Sequence, residues 1–308
     1  MSVRRAMDFA LYLLVRIFVA LVQALPIETA AGIARGLAWL AHRVLRIRRR
    51  VVEENLGCAF PYLGAVERDR LARRMWEHLF LIVVEAAHAP RKIHQTNWRD
   101  YIQLDGKEVL VRLLLSDRPV IILTGHFGNF ELAGVMLGLL GFPTFTVART
   151  LDNPYLDRFV NRFRGLSGQW IIPKKGGYDQ IVQVMAQGGT MTFLADQHAG
   201  EKGCWVEFFG RPASAHKAIA LLAMTYHAPM VVGYCRRLDR PMQFEMRVHA
   251  VADPQQTPPE AASVQALTQW YTSRLEEFIR QWPEQYWWLH RRWRTPPARQ
   301  SKSAKKAA

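Results

Sequence analysis

The chain has 308 residues, half of them apolar, which is enough for one large domain or two modest ones. Its 41 basic and 26 acidic residues give a formal net charge of +15. This charge favours anionic partners: nucleic acid, lipid headgroups or an acidic carrier protein. The three cysteines are scattered and form no Cys-x-x-Cys pair, which argues against a disulfide framework and a zinc ribbon. We therefore expect the folded part to face a reducing cytoplasm.

The N-terminal segment is almost continuously apolar over residues 9–25, ends before Pro26 and is interrupted by Arg16. A central arginine costs roughly 3 kcal/mol on insertion, whereas each Leu, Ile, Val or Phe contributes roughly −0.3 to −0.6 kcal/mol. Membrane insertion is therefore marginally favourable, and we predict a membrane-anchoring, transmembrane helix over residues 1–26. Two alternatives remain: a cleaved signal peptide ending near residues 22–24, and a helix that lies at the interface or packs on the folded domain.

The segment from Ala30 to Leu45 predicts an amphipathic helix with a basic end, because its large apolar residues recur at helical spacing. The arginines here outnumber the two that precede the apolar run, so the positive-inside rule places the rest of the chain in the cytoplasm. A solvated basic helix face is the alternative interpretation. The apolar stripe is Ile33, Leu37, Leu40 and Val44, and the arginines are Arg35, Arg43, Arg46, Arg48, Arg49 and Arg50.

From residue 119 onward, short apolar runs alternate with longer amphipathic segments, which predicts an α/β fold with a mainly parallel sheet flanked by helices. We assign one domain to residues 27–294, mostly helical over 51–110, and a disordered basic tail to 295–308. Predicted strands lie near 119–124, 144–149, 190–195, 230–236 and 243–249, and predicted helices near 129–140, 153–164, 177–187, 214–226 and 261–281.

A predicted strand runs directly into a turn and a helix at Gly125, His126, Gly128 and Glu131. Residues five apart lie on opposite faces of a strand and about 140° apart on a helix, so His126 and Glu131 can meet only across a bend. The two glycines permit that bend. We therefore expect an imidazole and a carboxylate in contact at the carboxyl end of a strand, where open α/β folds bind ligands.

Such a pair suits proton transfer at neutral pH: His126 would be the general base, and Glu131 would fix its tautomer and stabilise the imidazolium. Backbone N–H groups of the following helix could bind a developing oxyanion. The sequence has no Gly-x-Ser-x-Gly elbow, so direct attack by an acceptor hydroxyl is favoured over a covalent acyl-enzyme. A turn histidine bonded to a nearby carboxylate for structural reasons is the alternative.

The stretch Gly125-His126-Phe127-Gly128-Asn129-Phe130-Glu131 resembles the His-x4-Glu box of the bacterial lipid A late acyltransferases, within the glycerolipid acyltransferase superfamily. Residues 49–56, 195–200, 208–213 and 285–292 resemble further family segments in matching order, so the likeness spans roughly residues 5 to 297. It implies a glycerolipid acyltransferase-like fold and an inner-membrane enzyme active on the cytoplasmic side. It also implies an acyl-carrier-protein thioester as donor and no metal or organic cofactor.

The same resemblance implies roles for individual residues. His126 matches the general base, Glu131 its partner and Asp196 an acidic residue of a third segment, although Asp196 could instead be a simple turn or cap residue. Arg164 best matches an essential arginine, with Arg162 as a close alternative, and a guanidinium there could bind a phosphate. A solvated helix face is the default for such arginines. The predicted substrate-binding residues are Arg164, Asp196, Asn129, Arg162 and, more weakly, Arg211.

One departure from the family pattern leaves the acceptor open. His198 and Ala199 follow Gln197, where the lipid A enzymes more usually carry an acidic or aromatic residue. The resemblance implies a lipid A precursor or similar phosphoglycolipid, but a lysophospholipid or other glycolipid is an alternative acceptor, and acyl-CoA an alternative donor. The tryptophans of residues 282–293, mixed with arginines, suit either a membrane interface or the core.

The sequence also bears on three other functions. A basic nucleic-acid-binding protein would explain the charge but not the apolar N-terminus, so we expect no nucleic-acid partner. A metal hydrolase is disfavoured because the His-Glu-x-x-His spacing is missing around His126. An inactive relative that only binds lipid has the same sequence features as an enzyme.

Overall fold

The computed structural model describes residues 3–165, 168–256 and 258–294, so the tail predicted at 295–308 lies outside the described residues. Nine strands occur in this part of the chain, seven of them in one sheet. They are β1 (Ile102–Asp105), β2 (Val120–Thr124), β3 (Thr144–Ala148), β4 (Gln169–Pro173), β5 (Thr190–Leu194), β6 (Cys204–Phe208), β7 (Arg211–Ala215), β8 (Met230–Arg237) and β9 (Phe244–Ala252).

The large sheet has the order β1-β9-β8-β2-β5-β3-β4. All of its neighbouring pairs are parallel except β8 and β9, which are antiparallel, and β6 with β7 forms a separate antiparallel hairpin. The predicted α/β class with a mainly parallel sheet is therefore confirmed. The five predicted strands are present, whereas β1, β4 and the hairpin were not predicted.

The described residues contain ten α-helices, and residues 51–110 are mostly helical as predicted. The long helix α4 contributes many buried residues, including Met75 and Glu85, and carries Pro90 inside its last turn. The helices are α1 (Val3–Ala24), α2 (Ile27–Trp39), α3 (Arg49–Ala59), α4 (Ala65–Lys92), α5 (Lys107–Leu114), α6 (Phe130–Leu139), α7 (Pro154–Gly165), α8 (Tyr178–Ala186), α9 (Lys217–Thr225) and α10 (Val264–Gln281).

The core lies where the central strands meet the helices. Ile121 and Leu123 of β2 are fully buried, and so is Phe278 of α10. Trp288 is also fully buried, and its indole N–H donates to the carbonyl of Pro283 at 2.7 Å. The prediction that the tryptophan-rich segment belongs to the core is therefore confirmed for Trp288, whose ring is buried and whose indole N–H is hydrogen-bonded inside the protein.

Helix α1 is the one described helix that is long and apolar enough to cross a membrane, and almost none of its surface is buried. Its 22 residues correspond to about 33 Å at 1.5 Å per residue, close to the thickness of a hydrocarbon core. Both ends are nevertheless attached to the rest of the protein by hydrogen bonds. The side chain of Asn153, just before α7, donates to the carbonyl of Asp8 at 2.8 Å, and Gln23 donates to the carbonyl of Ala87 in α4 at 2.7 Å.

Helix α2 packs on α4 through small residues, and Ala34 and Ala38 are buried. The stripe predicted from the sequence points the other way, because Ile33, Leu40 and Val44 are exposed. Alanines allow the two helices to approach closely, which leaves the larger apolar side chains outside. The amphipathic helix is thus present, but its large apolar face adds to the exposed apolar surface of α1.

Candidate active site

The turn between β2 and α6 carries His126 and depends on Gly128. Gly128 has φ +57°, and a Cβ there would lie 2.1 Å from the carbonyl oxygen of Cys235 on β8. Only glycine fits both that conformation and that close approach. The turn is held from the other side as well, because Gly128 N–H donates to the carbonyl of Gln285 and the backbone carbonyl of His126 accepts from the N–H of Trp287.

The carboxylate that contacts His126 is Asp196, 70 residues further along the chain. The Nδ1–H of His126 donates to Oδ1 of Asp196 at 2.8 Å, with 17% of the imidazole and 3% of the carboxylate side chain exposed. Asp196 follows β5, which is paired in parallel with β2, so both residues leave the sheet at the same edge. The backbone joins them too, since Ala195 N–H donates to the carbonyl of Thr124.

The pair is electrostatically coupled. Burial lowers the pKa of His126, but the charge and hydrogen bond of Asp196, together with the charge of Glu131, raise that pKa above 6.5. Burial raises the pKa of Asp196, but the charge and hydrogen bond of His126 lower it to about 2. Asp196 is therefore ionised at neutral pH and holds the proton of the neutral imidazole on Nδ1.

With Nδ1 donating to Asp196, the Nε2 atom of His126 is available as a base. Its nearest hydrogen-bonding neighbour is the side-chain nitrogen of Gln197 at 3.4 Å, which is a long and weak contact. The rings of Phe130 and Trp287 lie against the imidazole, with centroids at 5.1 and 5.6 Å. The imidazole thus packs against a pair of aromatic rings that also contact each other, and its second nitrogen is uncommitted.

Glu131 does not take the role predicted for it. Its carboxylate accepts two hydrogen bonds from Arg164 of α7, at 3.0 and 2.6 Å, and no direct bond to His126 is formed. The expected contact between His126 and Glu131 is therefore wrong. The physical reason is that α6 begins at Phe130, so Glu131 lies in the first helical turn beside α7. Its charge still acts on the imidazole by raising the pKa of His126.

Arg164 rather than Arg162 is the arginine joined to the predicted site. Arg164 and Glu131 are each 22% exposed, and their paired, two-bond geometry is the strong form of this interaction. Burial lowers the pKa of Arg164, but the hydrogen bond and charge of Glu131 raise it overall. Arg162 is exposed on the same helix and lines the groove described below.

Two predicted substrate-binding residues lie outside the lining of the two cavities beside Glu131. Asn129 is fully buried, where its side chain accepts from Leu132 N–H at 3.2 Å and donates to Glu85 at 2.9 Å. It therefore caps α6, and its side chain is directed into the protein, so the structure gives no support to its assignment to substrate binding. Arg211 is exposed on the separate hairpin and lines neither of the cavities beside Glu131.

A buried charged network behind the turn was missed by the sequence reasoning. Arg237, at the end of β8, donates to Glu85 at 2.7 Å and to Nδ1 of His78 at 2.6 Å. His78 in turn donates from Nε2 to the carbonyl of Gly128 at 3.2 Å, and burial and the charge of Arg237 lower the pKa of His78 well below 6.5. A glutamate and two histidines within the apolar run of α4 were the available signal.

The network also reaches the C-terminal segment. The Gln285 side chain accepts from the N–H of Arg237 at 2.9 Å and donates to the Arg237 carbonyl at 2.8 Å. The backbone carbonyl of Gln285 also accepts from Gly128 N–H. Polar groups therefore join four parts of the protein: α4, β8, the His126 turn and the C-terminal segment. Buried polar groups that are all satisfied make such a junction rigid.

A groove of about 880 Å³ opens beside this turn, between α1, α4 and α7. Its size falls in the range of sites that hold ligands. Phe130, Glu131 and Trp287 are among the residues that line it, so the groove reaches the two rings that contact the imidazole. A smaller cavity of about 150 Å³ lies against the sheet and shares Phe130 and Glu131 with the groove. Both cavities are lined mostly by apolar side chains.

No group of three or more His, Cys, Asp or Glu side chains in the described parts of the chain is placed to hold a metal ion. Among these residues His126 has Asp196 as its bonded partner, and Glu131 is occupied by Arg164. The site therefore offers acid–base chemistry. The absence of a metal or organic cofactor stays a prediction.

Comparison with known proteins adds family information. The family model for bacterial lipid A biosynthesis acyltransferases matches residues 2–295. The chain is 25% identical to the lipid A biosynthesis palmitoleoyltransferase of Escherichia coli over 90% of this chain and 89% of that protein. It is equally similar to the lauroyltransferase of the same organism. A phosphatidylinositol mannoside acyltransferase of Mycolicibacterium smegmatis is 27% identical over 63% of this chain and 62% of that protein.

Proposed function

Since the chain belongs to the bacterial lipid A biosynthesis acyltransferase family and is an acyltransferase, we propose that it acylates a lipid A precursor or similar phosphoglycolipid. The donor in this proposal is an acyl-carrier-protein thioester, and the acceptor group is a hydroxyl of the lipid or of an acyl chain already attached to it. The observation that carries the proposal is the His126–Asp196 pair, which leaves Nε2 of the imidazole free beside a lipid-sized groove.

In the reaction, Nε2 of His126 takes the proton from the acceptor hydroxyl as its oxygen attacks the thioester carbonyl. The imidazolium that forms is stabilised by the ionised Asp196, which keeps the ring in one orientation. The tetrahedral intermediate then expels the carrier thiolate, and the imidazolium returns the proton to that sulfur. Helix α6 begins directly after the turn, so its N-terminal dipole favours the developing oxyanion.

The pair of Glu131 and Arg164 supports this chemistry in two ways. The negative charge of Glu131 raises the pKa of His126, which makes the imidazole a stronger base. Arg164 borders the small apolar cavity together with Glu131, and its guanidinium can hold a phosphate or thioester oxygen while keeping the glutamate in place. The apolar cavities on either side of Phe130 supply room for acyl chains.

The proposed location is the inner membrane, with the catalytic part on the cytoplasmic side. The exposed apolar side chains of α1 and α2 and the arginines after them support contact with an anionic bilayer. A net charge of +15 also suits the acidic acyl carrier protein as partner. We propose no nucleic-acid partner and neither a metal nor an organic cofactor.

A second acceptor class is favoured by one relative. The mycobacterial protein that matches part of the chain is named for acylating phosphatidylinositol mannoside, a phosphorylated glycolipid. Acceptors of this kind, or a lysophospholipid, with acyl-CoA as donor, form the second candidate function. The same His126–Asp196 chemistry would serve them, because only a hydroxyl and a thioester are required.

Transfer by the purified protein in detergent tests the proposal. Lauroyl, myristoyl and palmitoyl thioesters of acyl carrier protein and of coenzyme A are offered with a lipid A precursor, lysophosphatidic acid or phosphatidylinositol mannoside. We expect the lipid A precursor to gain one acyl chain by mass spectrometry, and His126→Ala to slow that gain by about a hundredfold or more. The exposed control His94→Ala should preserve it. Acylation of another acceptor instead of the lipid A precursor would reject the first candidate.

A further inference from the structure

Arg16 lies on the inner face of α1. The groove is lined by Arg16, Val19, Ala20 and Gln23, which follow the three- and four-residue spacing of one helix face. The apolar side chains on the rest of the helix are exposed, among them Leu14, Ile17, Phe18 and Leu21. An arginine that would cost free energy in hydrocarbon therefore faces a cavity of the protein.

The side chain of Arg16 is exposed and contacts residues of α1 and α7. Helix α1 is attached near one end by Asn153 and near the other by Gln23, as described above. The guanidinium donates to the hydroxyl of Tyr12 at 2.9 Å and lies 5.4 Å from the ring centroid of Phe159 on α7. These contacts use only part of its five N–H donors, so the group can bind a further acceptor.

The groove carries uncompensated positive charge. Arg16, Arg91 and Arg162 line it, and none of the three forms an ion pair with any carboxylate in the described residues. The acidic side chain in the lining is Glu131, whose oxygens are occupied by Arg164. An apolar groove with unpaired guanidinium groups is complementary to an amphiphile that carries acyl chains and phosphate.

We propose that the groove between α1, α4 and α7 is the acceptor site, in which Arg16 and Arg162 bind phosphate of the acceptor lipid. Helix α1 is then a wall of the substrate site as well as a membrane contact. The occupant is the lipid acceptor rather than the carrier-borne donor, because the exposed apolar side chains of α1 favour contact with a bilayer, and the same helix lines the groove. This inference rests on the proposed function, since it identifies how the acceptor is held for His126.

The test compares a phosphorylated acceptor with its dephosphorylated counterpart. We expect Arg16→Gln and Arg162→Gln to raise KM for the phosphorylated lipid about ten- to a hundredfold, the range of a lost charged hydrogen bond. KM for the dephosphorylated lipid and for the acyl donor should stay unchanged. Arg16→Lys, which keeps the charge, should retain part of the preference. The matched control is Arg158→Gln, an exposed arginine of α7 outside the groove lining.

Equal effects on both acceptors, or a rise in KM for the donor alone, would overturn the inference. A lipid-binding measurement distinguishes failure of this inference from failure of the proposed function. In a His126→Ala background, vesicles or micelles of the phosphorylated lipid should bind about ten- to a hundredfold more tightly than the dephosphorylated lipid, and Arg16→Gln should remove that difference. A wild-type protein that binds the phosphorylated lipid through Arg16 but transfers nothing to it would contradict the catalytic proposal only.

Discussion

The imidazole of His126 donates from Nδ1 to the carboxylate of Asp196 at 2.8 Å, across two neighbouring parallel strands. The glutamate five residues after His126 instead holds Arg164. Two carboxylates thus act on one imidazole in different ways, Asp196 through a hydrogen bond and Glu131 through its charge. Each carboxylate can be removed separately by substitution with its amide.

The first prediction concerns the pKa of His126. Because Asp196 and Glu131 raise it, the imidazole stays protonated to a higher pH than an ordinary histidine, and transfer falls as the pH decreases through the raised value. Asp196→Asn removes a charge and an ionic hydrogen bond while burial still lowers the pKa, so the midpoint should move to lower pH. Glu131→Gln should move it in the same direction by less. Histidine NMR titration measures both shifts, and a midpoint that rises in either variant contradicts this account.

The second prediction concerns the pair of Glu131 and Arg164. Arg164→Lys keeps the charge but loses the paired hydrogen bonds, and we expect kcat to fall about tenfold or more. Arg164→Gln and Glu131→Gln should each reduce kcat further, and the double variant should be far less impaired than the product of the two single effects. Steady-state kinetics of the wild-type protein, Arg164→Gln, Glu131→Gln and the double variant measure this coupling. Independent, multiplicative effects would show that the two side chains do not act together.

The third prediction concerns the stability of the buried network. Glu85→Gln leaves the charge of Arg237 without its carboxylate inside the protein, and we expect a loss of about 3–5 kcal/mol in the free energy of unfolding. Denaturant unfolding in detergent measures it. The control is Glu54→Gln, which breaks the exposed pair with Arg50 and should change stability little. A Glu85→Gln protein as stable as this control would show that the network is not structurally important.

The fourth prediction concerns the turn itself. Gly128→Ala places a methyl group where the carbonyl of Cys235 already lies, so β8 or the turn must shift and His126 moves with it. We expect lower thermal stability and a large loss of transfer. Gly57→Ala, in the last turn of α3 with open space around the added carbon, should be neutral or slightly stabilising. Differential scanning calorimetry compares the melting temperatures of the two variants. Equal melting temperatures would contradict the assigned role of Gly128.

Much of the fold follows from periodicity along the chain. Apolar runs such as β2 and β8 are buried on both faces, which makes them easy to recognise, and the helices between them are amphipathic. The missed strands have weaker signals: β4 carries an exposed Trp170 and ends at Pro173, and β1 has only four residues at the sheet edge. The hairpin β6–β7 lies outside the large sheet and follows no βα alternation.

The site was less predictable than the fold. His126 and the bend around it follow from local sequence, because the glycines and the preceding strand are adjacent to it. The partner of the imidazole does not, since Asp196 approaches through the parallel register of β2 with β5, and a sequence window around His126 contains only Glu131. The burial of Asn129 has the same origin, because its partner Glu85 reaches it from α4 and is itself held by Arg237 of β8.

The most direct test of the paired roles of His126 and Asp196 is a double-mutant comparison of transfer rates at saturating substrates. We expect His126→Ala and Asp196→Asn each to lower kcat by about 10²- to 10⁴-fold, since one removes the base and the other its orientation. In the His126→Ala background, Asp196→Asn should cause almost no further loss. If it lowers the residual rate there as much as in the wild-type protein, Asp196 does not act through His126 and this account is contradicted.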